Sequence, residues 1–379
     1  MKLRNFGVLM AAILIVFSLI SGCSNLLQQA GDKSSLEVAN DKLAAGDLDG
    51  AYADYQAILA ADPTNAEANL GVAVLEVMSL AVDDETRSLA SAMGLTLPDS
   101  LNDLYNEFAS PETSSALALT LKAANLKAAG TSFISISTLE GVTVSQIQAY
   151  LRNSVIPRIN QALARLAIVE SNSDFQYMLP ADLTGAETDL EIDLTEIYLL
   201  DAIGNALKGI CYHLIAYNLD YSTSNPFLET GFGTLETDGA ADMENARLAL
   251  VAAAEKSIAA LNFNAAETDD QSNDVLPQMD SADLTQILAI VGKIKDSLQS
   301  GEQTIEITET YSLAVNLKTY FMSPIADLKD YYFQDENDNS TIDAGDFPTG
   351  YDFTVNGLLP GLTSFTAWET FISKINSLF

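Results

Sequence analysis

The chain has 379 residues, of which 52 are Asp or Glu and 18 are Lys or Arg, so its formal net charge is -34 at pH 7. A surface this acidic repels the phosphates of nucleic acids and anionic lipid head groups, which excludes nucleic acid as a partner. Hydrophobic residues make up 48% of the chain, which excludes wholesale disorder and is enough for one large or two moderate cores.

The residues up to Ser24 have the pattern of a secretory leader. Met1-Lys2-Leu3-Arg4 is a short basic start, and an apolar run over residues 6–20 follows it. That run is about 15 residues long, whereas a permanent membrane-spanning helix needs about 20. The small residues Ser21 and Gly22 then precede Cys23. Together these features resemble the signal peptide and lipobox of bacterial lipoproteins.

The resemblance implies signal cleavage after Gly22 and lipidation of Cys23, with palmitate among the acyl chains. A cysteine with more than one acyl chain is anchored stably, whereas a single chain binds a membrane reversibly. We therefore expect the mature protein to be held by lipid at a bacterial membrane outside the cytoplasm. Ser24 stands where an aspartate would favour the inner membrane of enteric bacteria, so it favours the outer membrane, facing the periplasm or the cell surface.

Cysteine chemistry is limited in the mature chain. There are two cysteines, so lipidation of Cys23 leaves Cys211 without an intrachain disulfide partner. Cys211 lies two residues before His213 in an apolar segment, and side chains two apart on a helix point to different faces. We therefore expect a buried thiol and a core histidine rather than a catalytic pair.

Residues 23–33 are a polar tether, and residues 34–82 have a helical pattern with small residues at regular places. The pattern is carried by Ala39, Gly46-Asp47, Ala51, Tyr55 and Pro63. It resembles a tetratricopeptide repeat, a helix–turn–helix unit of about 34 residues, and residues 66–80 resemble the first helix of a second copy. Lys42 and Ile58 depart from the family pattern, which has an aromatic residue and an alanine there.

The tetratricopeptide resemblance implies a groove for a peptide or partner protein. We expect Tyr55, Asn69 and Glu76 to contact that partner. About three repeats are needed for stability. This pair must therefore continue into further helices or pack on the following domain.

Residues 83–300 are predicted to form a larger helical domain. Helical patterns cover residues 111–129, 143–170, 190–221, 243–261 and 284–298. Pro157 is expected to kink or split the second of these, because proline lacks a backbone N–H. The third is apolar on nearly every face, which is typical of a buried central helix.

Four acids surround the start of this predicted central helix: Glu191, Asp193, Glu196 and Asp201. A pair of carboxyl groups about 5–10 Å apart in a cleft can hydrolyse a substrate, so these acids are the first candidates for a catalytic pair. Helix-start charges and solvated faces explain them equally well. The acidic segment 267–274 is either a solvated loop or a cation site.

A segment near the C-terminus has the spacing of calcium ligands. Calcium requires oxygen side chains at loop positions 1, 3, 5, 9 and 12, and a backbone carbonyl at position 7. These positions are held by Asp335, Asn337, Asn339, Asp343 and Asp346, and by Thr341. The segment resembles the calcium loops of EF-hand and dockerin proteins, and the resemblance implies a structural calcium ion.

The calcium loop departs from its family in two places. Ser340 replaces the glycine of position 6, and Asp346 replaces the usual glutamate. Pro348 follows at once, so we expect no full exiting helix. A helix is predicted before the loop at 325–332, and short strands at 304–308 and within 351–355. The alternative is an Asp/Asn-rich turn without a metal.

These patterns predict a mainly α fold: a helical-hairpin array that continues into a larger all-helical domain, with a small irregular C-terminal segment at 301–379. We expect a non-enzymatic lipoprotein that acts as a protein-interaction or scaffold module with structural calcium. The alternatives are a ligand-binding component of envelope transport or assembly, and a carboxylate-dependent hydrolase. An open groove on 36–80 would favour the scaffold. A closed apolar cavity near 190–221 would favour the binding component, and converging acids and aromatics the hydrolase.

Overall fold

A computed structural model describes residues 33–92, 96–109, 142–179, 189–222, 226–268, 273–274, 276, 278–308, 311–332 and 343–376. Within these ranges the protein is mainly helical with a few short strands, which confirms the predicted mainly α fold. The predicted signal peptide, the lipidation site at Cys23 and the predicted helix at 111–129 lie outside them. None of the described helices is long and apolar enough to cross a membrane.

The chain divides into two compact units, and each consists of two separate segments. The first contains Met1–Leu207 and Ala259–Met279, and the second contains Lys208–Ile258 and Asp280–Phe379. The finer division into 1–22, 23–33, 34–82, 83–300 and 301–379 stays a prediction.

The first unit begins with consecutive helices where the sequence predicts the helical hairpins. They are α1 (Ser35–Ala44), α2 (Leu48–Ala61), α3 (Ala66–Ser79), α4 (Asp84–Ala92) and α5 (Leu101–Ala109). The first three each begin at a capping side chain, because an oxygen of Ser34, Asp47 or Asn65 accepts a hydrogen bond from a backbone N–H of the first turn. Gly46, between α1 and α2, has a φ of +75°, which glycine adopts without steric cost.

The small residues of this segment lie at contacts between helices. α1 packs against α2, and α2 packs against α3. Ala39, Ala51 and Ala73 are all buried, because a methyl side chain allows two helix backbones to approach closely. The hairpin geometry agrees with the sequence pattern, and membership of the tetratricopeptide family stays a prediction.

Pro157 divides the helix predicted over 143–170. α6 (Val144–Tyr150) leads through a π-helical turn (Leu151–Val155) into α7 (Ile156–Glu170). Pro157 lies in the first turn of α7, where a missing N–H is tolerated. The π-helical turn before it changes the hydrogen-bond spacing of the backbone at the point where proline supplies no donor. α7 then packs against α3.

A two-stranded hairpin completes the first unit. β1 (Tyr177–Leu179) pairs antiparallel with β2 (Leu190–Ile192), with Tyr177 opposite Ile192. The predicted central helix is therefore shorter than expected. Residues 190–192 are extended, since their backbone pairs with β1, and the helix α8 covers Leu194–Ile215. The core joins these elements through buried side chains that include Leu48, Leu75, Met78, Ile192 and Ile197.

The second unit contains most of the longest described helix, α9 (Gly239–Ala266), and the elements after Asp280. These are α10 (Ser281–Gln299), β3 (Gln303–Thr308), β4 (Tyr311–Val315), α11 (Leu317–Met322) and α12 (Phe365–Asn376). α8 and α9 contribute residues to both units. The strand predicted at 304–308 is present and pairs antiparallel with β4. Tyr217, Met243, Leu298 and Phe321 lie in the core of this unit.

Two predicted elements near the C-terminus are wrong. The helix expected at 325–332 is only a 3-10 turn (Leu328–Tyr331), because the preceding backbone is extended: Ala326 accepts a hydrogen bond from the N–H of Leu235. Residues 351–355 form turns rather than a strand. The Asp352 carboxylate accepts hydrogen bonds from the N–H groups of Thr354 and Asn356, which fixes the turn.

Candidate functional site

An apolar cavity of about 80 Å³ lies within the first unit. Leu70, Val74 and Leu75 of α3 form one wall, and Leu179 and Ile192 of the β-hairpin form another. Leu200 of α8 (Leu194–Ile215) lines it from a third part of the chain. The cavity therefore depends on three separate parts of the chain that come together only in the folded protein.

Three polar side chains also line this cavity: Tyr55, Glu67 and Tyr177. The Tyr55 hydroxyl donates a hydrogen bond to Oδ1 of Asn40 at 2.6 Å and interacts with the Tyr177 hydroxyl. Nδ2 of Asn40 in turn donates to Oε2 of Glu67 at 3.4 Å. The result is one polar group, defined here as the Glu67 cluster (Asn40, Tyr55, Glu67 and Tyr177), in an otherwise apolar wall.

Both tyrosines of the Glu67 cluster are neutral at physiological pH. Burial, together with the nearby Glu67 carboxylate, raises the pKa of Tyr177 to about 12. The same two causes raise the pKa of Tyr55 well above its ordinary value, with Tyr177 contributing as well. Their hydroxyls are thus able to donate and to accept hydrogen bonds beside the carboxylate.

A glycine positions the Tyr55 ring. A Cβ atom added at Gly71 would lie 2.6 Å from Cε2 of Tyr55, well inside the usual carbon–carbon contact distance of about 3.5–4.0 Å. The ring therefore lies directly against the backbone of α3 at this point. Since Gly71 also lines the cavity, its missing side chain fixes one side of the site.

A second apolar cavity of about 50 Å³ lies beside the first. It is bounded by α3, α7 and α8, and it shares Val74 and Leu200 with the first cavity. Leu163 packs directly against Gly204 in its lining, because a Cβ at Gly204 would lie 2.8 Å from Cδ2 of Leu163. The two cavities are thus neighbours that share two lining residues.

Of the three residues predicted to contact a partner protein, two are buried and one is half-buried. Tyr55 is 1% exposed and Asn69 is fully buried, so neither side chain is available to a partner at the surface. Nδ2 of Asn69 donates to the carbonyl oxygens of Pro63 and Asn65, which fastens the turn before α3. Glu76 is half-buried and accepts a hydrogen bond from the Tyr52 hydroxyl.

Two of the four acids predicted around the central helix meet at its first turn. Oδ1 of Asp193 accepts from the N–H of Thr195 at 2.6 Å, and Oε2 of Glu196 accepts from the N–H of Asp193 at 3.1 Å. These reciprocal bonds cap α8. Asp201 lies farther along the helix, where Asn205 donates to its backbone oxygen, and Glu191 accepts from Nδ2 of Asn273.

The helix cap is joined to the segment that follows α9. The Thr195 hydroxyl donates to Oε1 of Glu267 at 2.8 Å, and the N–H of Leu276 donates to Oε1 of Glu196 at 3.2 Å. Burial raises the pKa of Asp193 to about 6 and also raises the pKa of Glu196. In the described part of the chain, no three His, Cys, Asp or Glu side chains are placed to hold a metal ion. These contacts give the acids a structural role.

Two of the six predicted calcium ligands lie within the described residues. Oδ1 of Asp343 accepts from the N–H of Gly345, and Oδ2 of Asp346 accepts from the N–H of Asp343, both at 2.7 Å. These bonds shape a single 3-10 turn (Ala344–Asp346), which confirms that no full helix leaves the loop. The other ligands, Asp335, Asn337, Asn339 and Thr341, lie outside the described residues, so the calcium site stays a prediction.

Cys211 and His213 have core surroundings. Cys211 is buried, and burial raises the pKa of its thiol to about 12. Nε2 of His213 shares a hydrogen bond of 2.7 Å with the Tyr320 hydroxyl, and the His213 ring also lies beside that of Phe321. Burial lowers the pKa of His213, so the neutral imidazole is favoured.

Sequence reasoning missed the cavity and three members of its polar group, Asn40, Glu67 and Tyr177. Glu67 looks like an ordinary first-turn acid of α3, and Tyr177 belongs to a strand of only three residues. No local spacing joins residues more than 100 positions apart. Comparisons with known protein families, with curated proteins and with solved structures found no match for this chain.

Proposed function

We propose that this protein is a lipid-anchored ligand-binding component of the bacterial cell envelope, and that its first unit takes up a small apolar molecule. The observation that carries the proposal is the cavity at Val74 and Leu200, with its apolar walls and a single polar cluster. Ligand sites typically combine apolar walls with a few convergent polar groups. A closed apolar cavity near residues 190–221 was the feature expected of a binding component, and Ile192 and Leu200 of that stretch line the cavity described here.

The size of the cavities limits the ligand. An engineered apolar cavity of about 150 Å³ stays dry and binds benzene. The first cavity, of about 80 Å³, is about half that size, and the second, of about 50 Å³, is smaller. A single aromatic ring or a short alkyl chain is therefore the largest group that they hold without rearrangement.

Benzene titration followed by ligand-observed NMR tests the proposal. Val74 lines both cavities, so Val74→Phe places a larger side chain against both, and it should abolish benzene binding. Val38→Phe is the matched control, because Val38 is 37% exposed on α1 and its replacement leaves the cavities unchanged. Circular dichroism verifies that both variants fold. Equal binding by Val74→Phe, or no binding by the wild-type protein, would contradict the proposal.

Lipid attachment at Cys23 supplies the location in this proposal, and it is supported by the leader sequence. The Cys23→Ser variant should be recovered in the soluble fraction of cells, while the wild-type chain stays with the membranes. A variant that remains membrane-bound would remove the lipid anchor from the proposal.

A structural calcium ion in the loop at 335–346 is supported by the oxygen side chains at its liganding positions. Calorimetric titration of the wild-type protein with calcium should give a binding isotherm, and Asp335→Ala should lose it. An unchanged isotherm in this variant would place the ion elsewhere, and a flat wild-type titration would remove calcium from the proposal.

A protein or peptide partner is the second candidate function, and α10 favours it. Ile290 and Ile294 are 40% and 36% exposed and lie one turn apart on the same helix face. Exposed apolar residues grouped on one face are typical of contact surfaces between proteins. A pull-down of the intact lipoprotein from its own membrane should lose its partner when both residues are changed to Asp, and unchanged recovery would exclude α10 as the contact.

A further inference from the structure

We propose that protonation of the acidic cap of α8 controls ligand binding in the first cavity, so that the affinity for an apolar ligand falls as the pH rises. The cap group is defined here as Asp193, Glu196 and Glu267. This inference rests on the proposed function, since it adds a regulator to the cavity that takes up the ligand. It is carried by the position of the cap group in the chain, directly between two parts of the cavity wall.

The cap group adjoins the cavity along the backbone. Ile192 lines the first cavity at the end of β2, and Asp193 is the next residue. Leu200 lines the same cavity from α8, the helix that the Asp193 side chain caps through the N–H of Thr195. The cap therefore connects the two lining elements without an intervening loop. A displacement of the cap shifts at least one of these two lining side chains.

The segment that follows α9 holds both the cap and the strand before it. Oε1 of Glu196 accepts a hydrogen bond from the N–H of Leu276 at 3.2 Å. In the same segment, the carbonyl oxygen of Asn273 accepts a hydrogen bond from the N–H of Glu191 in β2 at 2.8 Å. All of these residues belong to the first unit. One segment thus fastens the cap and also the strand that ends in Ile192.

The charges of the cap group oppose one another once it is ionised. Side-chain hydrogen bonds link Asp193 to Glu196 and to Glu267, and a bond between two carboxyl groups requires a proton on one of them. Burial raises the pKa of Asp193 to about 6, with Glu196 contributing, and burial also raises the pKa of Glu196. Glu191 and Asp274, which pair at the adjoining backbone bridge, are acids as well. Loss of the shared proton therefore leaves neighbouring carboxylates in a poorly solvated place, where like charges repel.

The direction of the pH effect follows from these charges. Below about pH 6 the cap group retains its proton and the cap is held to the segment after α9, whereas above it the repulsion loosens this contact. Other groups do not account for a transition in this range. The only histidine of the chain, His213, belongs to the second unit. Tyr177 in the cavity wall keeps its proton, because its pKa is raised to about 12.

Benzene is the probe for this effect, because it has no titratable group of its own. Its affinity for the full chain, measured by ligand-observed NMR, should fall about fivefold or more between about pH 5 and about pH 8, a factor typical of two coupled sites. Asp193→Asn should bind benzene equally well at both pH values. Asparagine retains an oxygen that caps α8, and its N–H groups replace the shared proton.

Asp47→Asn is the matched control, because Asp47 also caps a helix of the first unit. Hydrogen bonds from the Asn102 side chain and from the N–H of Gly50 lower the pKa of Asp47, so it is ionised throughout this pH range. Its replacement should leave the pH dependence of benzene binding as it is in the wild-type protein. Circular dichroism at each pH verifies that the variants fold.

The coupling is reciprocal, so benzene binding should also draw protons onto the cap group. Calorimetry near the pKa of Asp193, in two buffers of different ionisation enthalpy, should show proton uptake by the wild-type protein and none by Asp193→Asn. Equal wild-type affinity at both pH values, or a pH dependence that Asp193→Asn retains, would overturn the proposal. Absence of benzene binding at every pH would instead overturn the proposed function itself, so the two failures are distinguishable.

Discussion

Gly71→Ala is a stringent test of the packing that forms the cavity. In the middle of a helix, alanine is favoured over glycine by about 1 kcal/mol. At Gly71 the added Cβ would lie 2.6–2.9 Å from three carbons of the Tyr55 ring, and that ring is buried. Overpacking of this kind costs about 1–3 kcal/mol. The net effect should therefore be a lower free energy of unfolding, by about 0–2 kcal/mol.

Gly292→Ala is the matched control, because Gly292 lies in the interior of α10 and a Cβ there has no heavy atom within 4 Å. It receives the same gain in helix propensity with no overlap, so it should raise the free energy of unfolding by about 1 kcal/mol. The two variants should thus differ by the overpacking cost alone. Urea unfolding monitored by circular dichroism measures the free energy of unfolding of each variant. For each variant, the relevant transition is that of the unit that contains the substituted residue.

Benzene affinity provides a second measurement on the same pair. Gly71→Ala must displace the Tyr55 ring, which lines the cavity, so it should weaken benzene binding, whereas Gly292→Ala should not. If both variants are stabilised by the same amount and bind benzene equally, the Tyr55 ring does not lie against Gly71. The geometry on which the proposed function depends would then be refuted.

Three further predictions follow from the burial of polar groups. The pKa of Asp193 is raised to about 6, above the usual unfolded value of about 3.9. The first unit should therefore lose stability as the pH rises from about 4 to about 6, which lowers the urea concentration at the unfolding midpoint. Asp193→Asn should make this midpoint depend less on pH. Tyr55→Phe removes the hydrogen bond to Asn40 and should lower the free energy of unfolding by about 1 kcal/mol in the same assay. The Cys211 thiol is 3% exposed, and its pKa is raised to about 12. In the Cys23→Ser variant, a thiol reagent should therefore label Cys211 only when urea unfolds the chain.

The sequence predicts those elements that local chemistry determines. α1, α2 and α3 each begin at a capping side chain that is visible in the sequence, and Pro157 marks the division between α6 and α7. These effects involve residues within one turn of each other. They do not depend on the rest of the fold.

The missed features depend on long-range pairing. Residues 325–328 have a helical pattern, but their backbone bonds to residues 233–235, nearly 100 positions earlier in the chain. The cavity likewise combines Tyr55, Tyr177 and Leu200 from separate helices and a strand. Periodicity in one segment contains no information about such contacts, because tertiary packing overrides local preference.

The split composition of the first unit has a consequence for the order in which the newly synthesised chain folds. The Thr195 hydroxyl and the Glu196 carboxylate bond to Glu267 and to the N–H of Leu276, which follow much of the second unit in the sequence. Synthesis proceeds from the N-terminus, so these groups emerge late. The first unit therefore cannot form its last hydrogen bonds until residues of the second have emerged, and a fragment that ends at 207 leaves the Glu196 carboxylate without this partner.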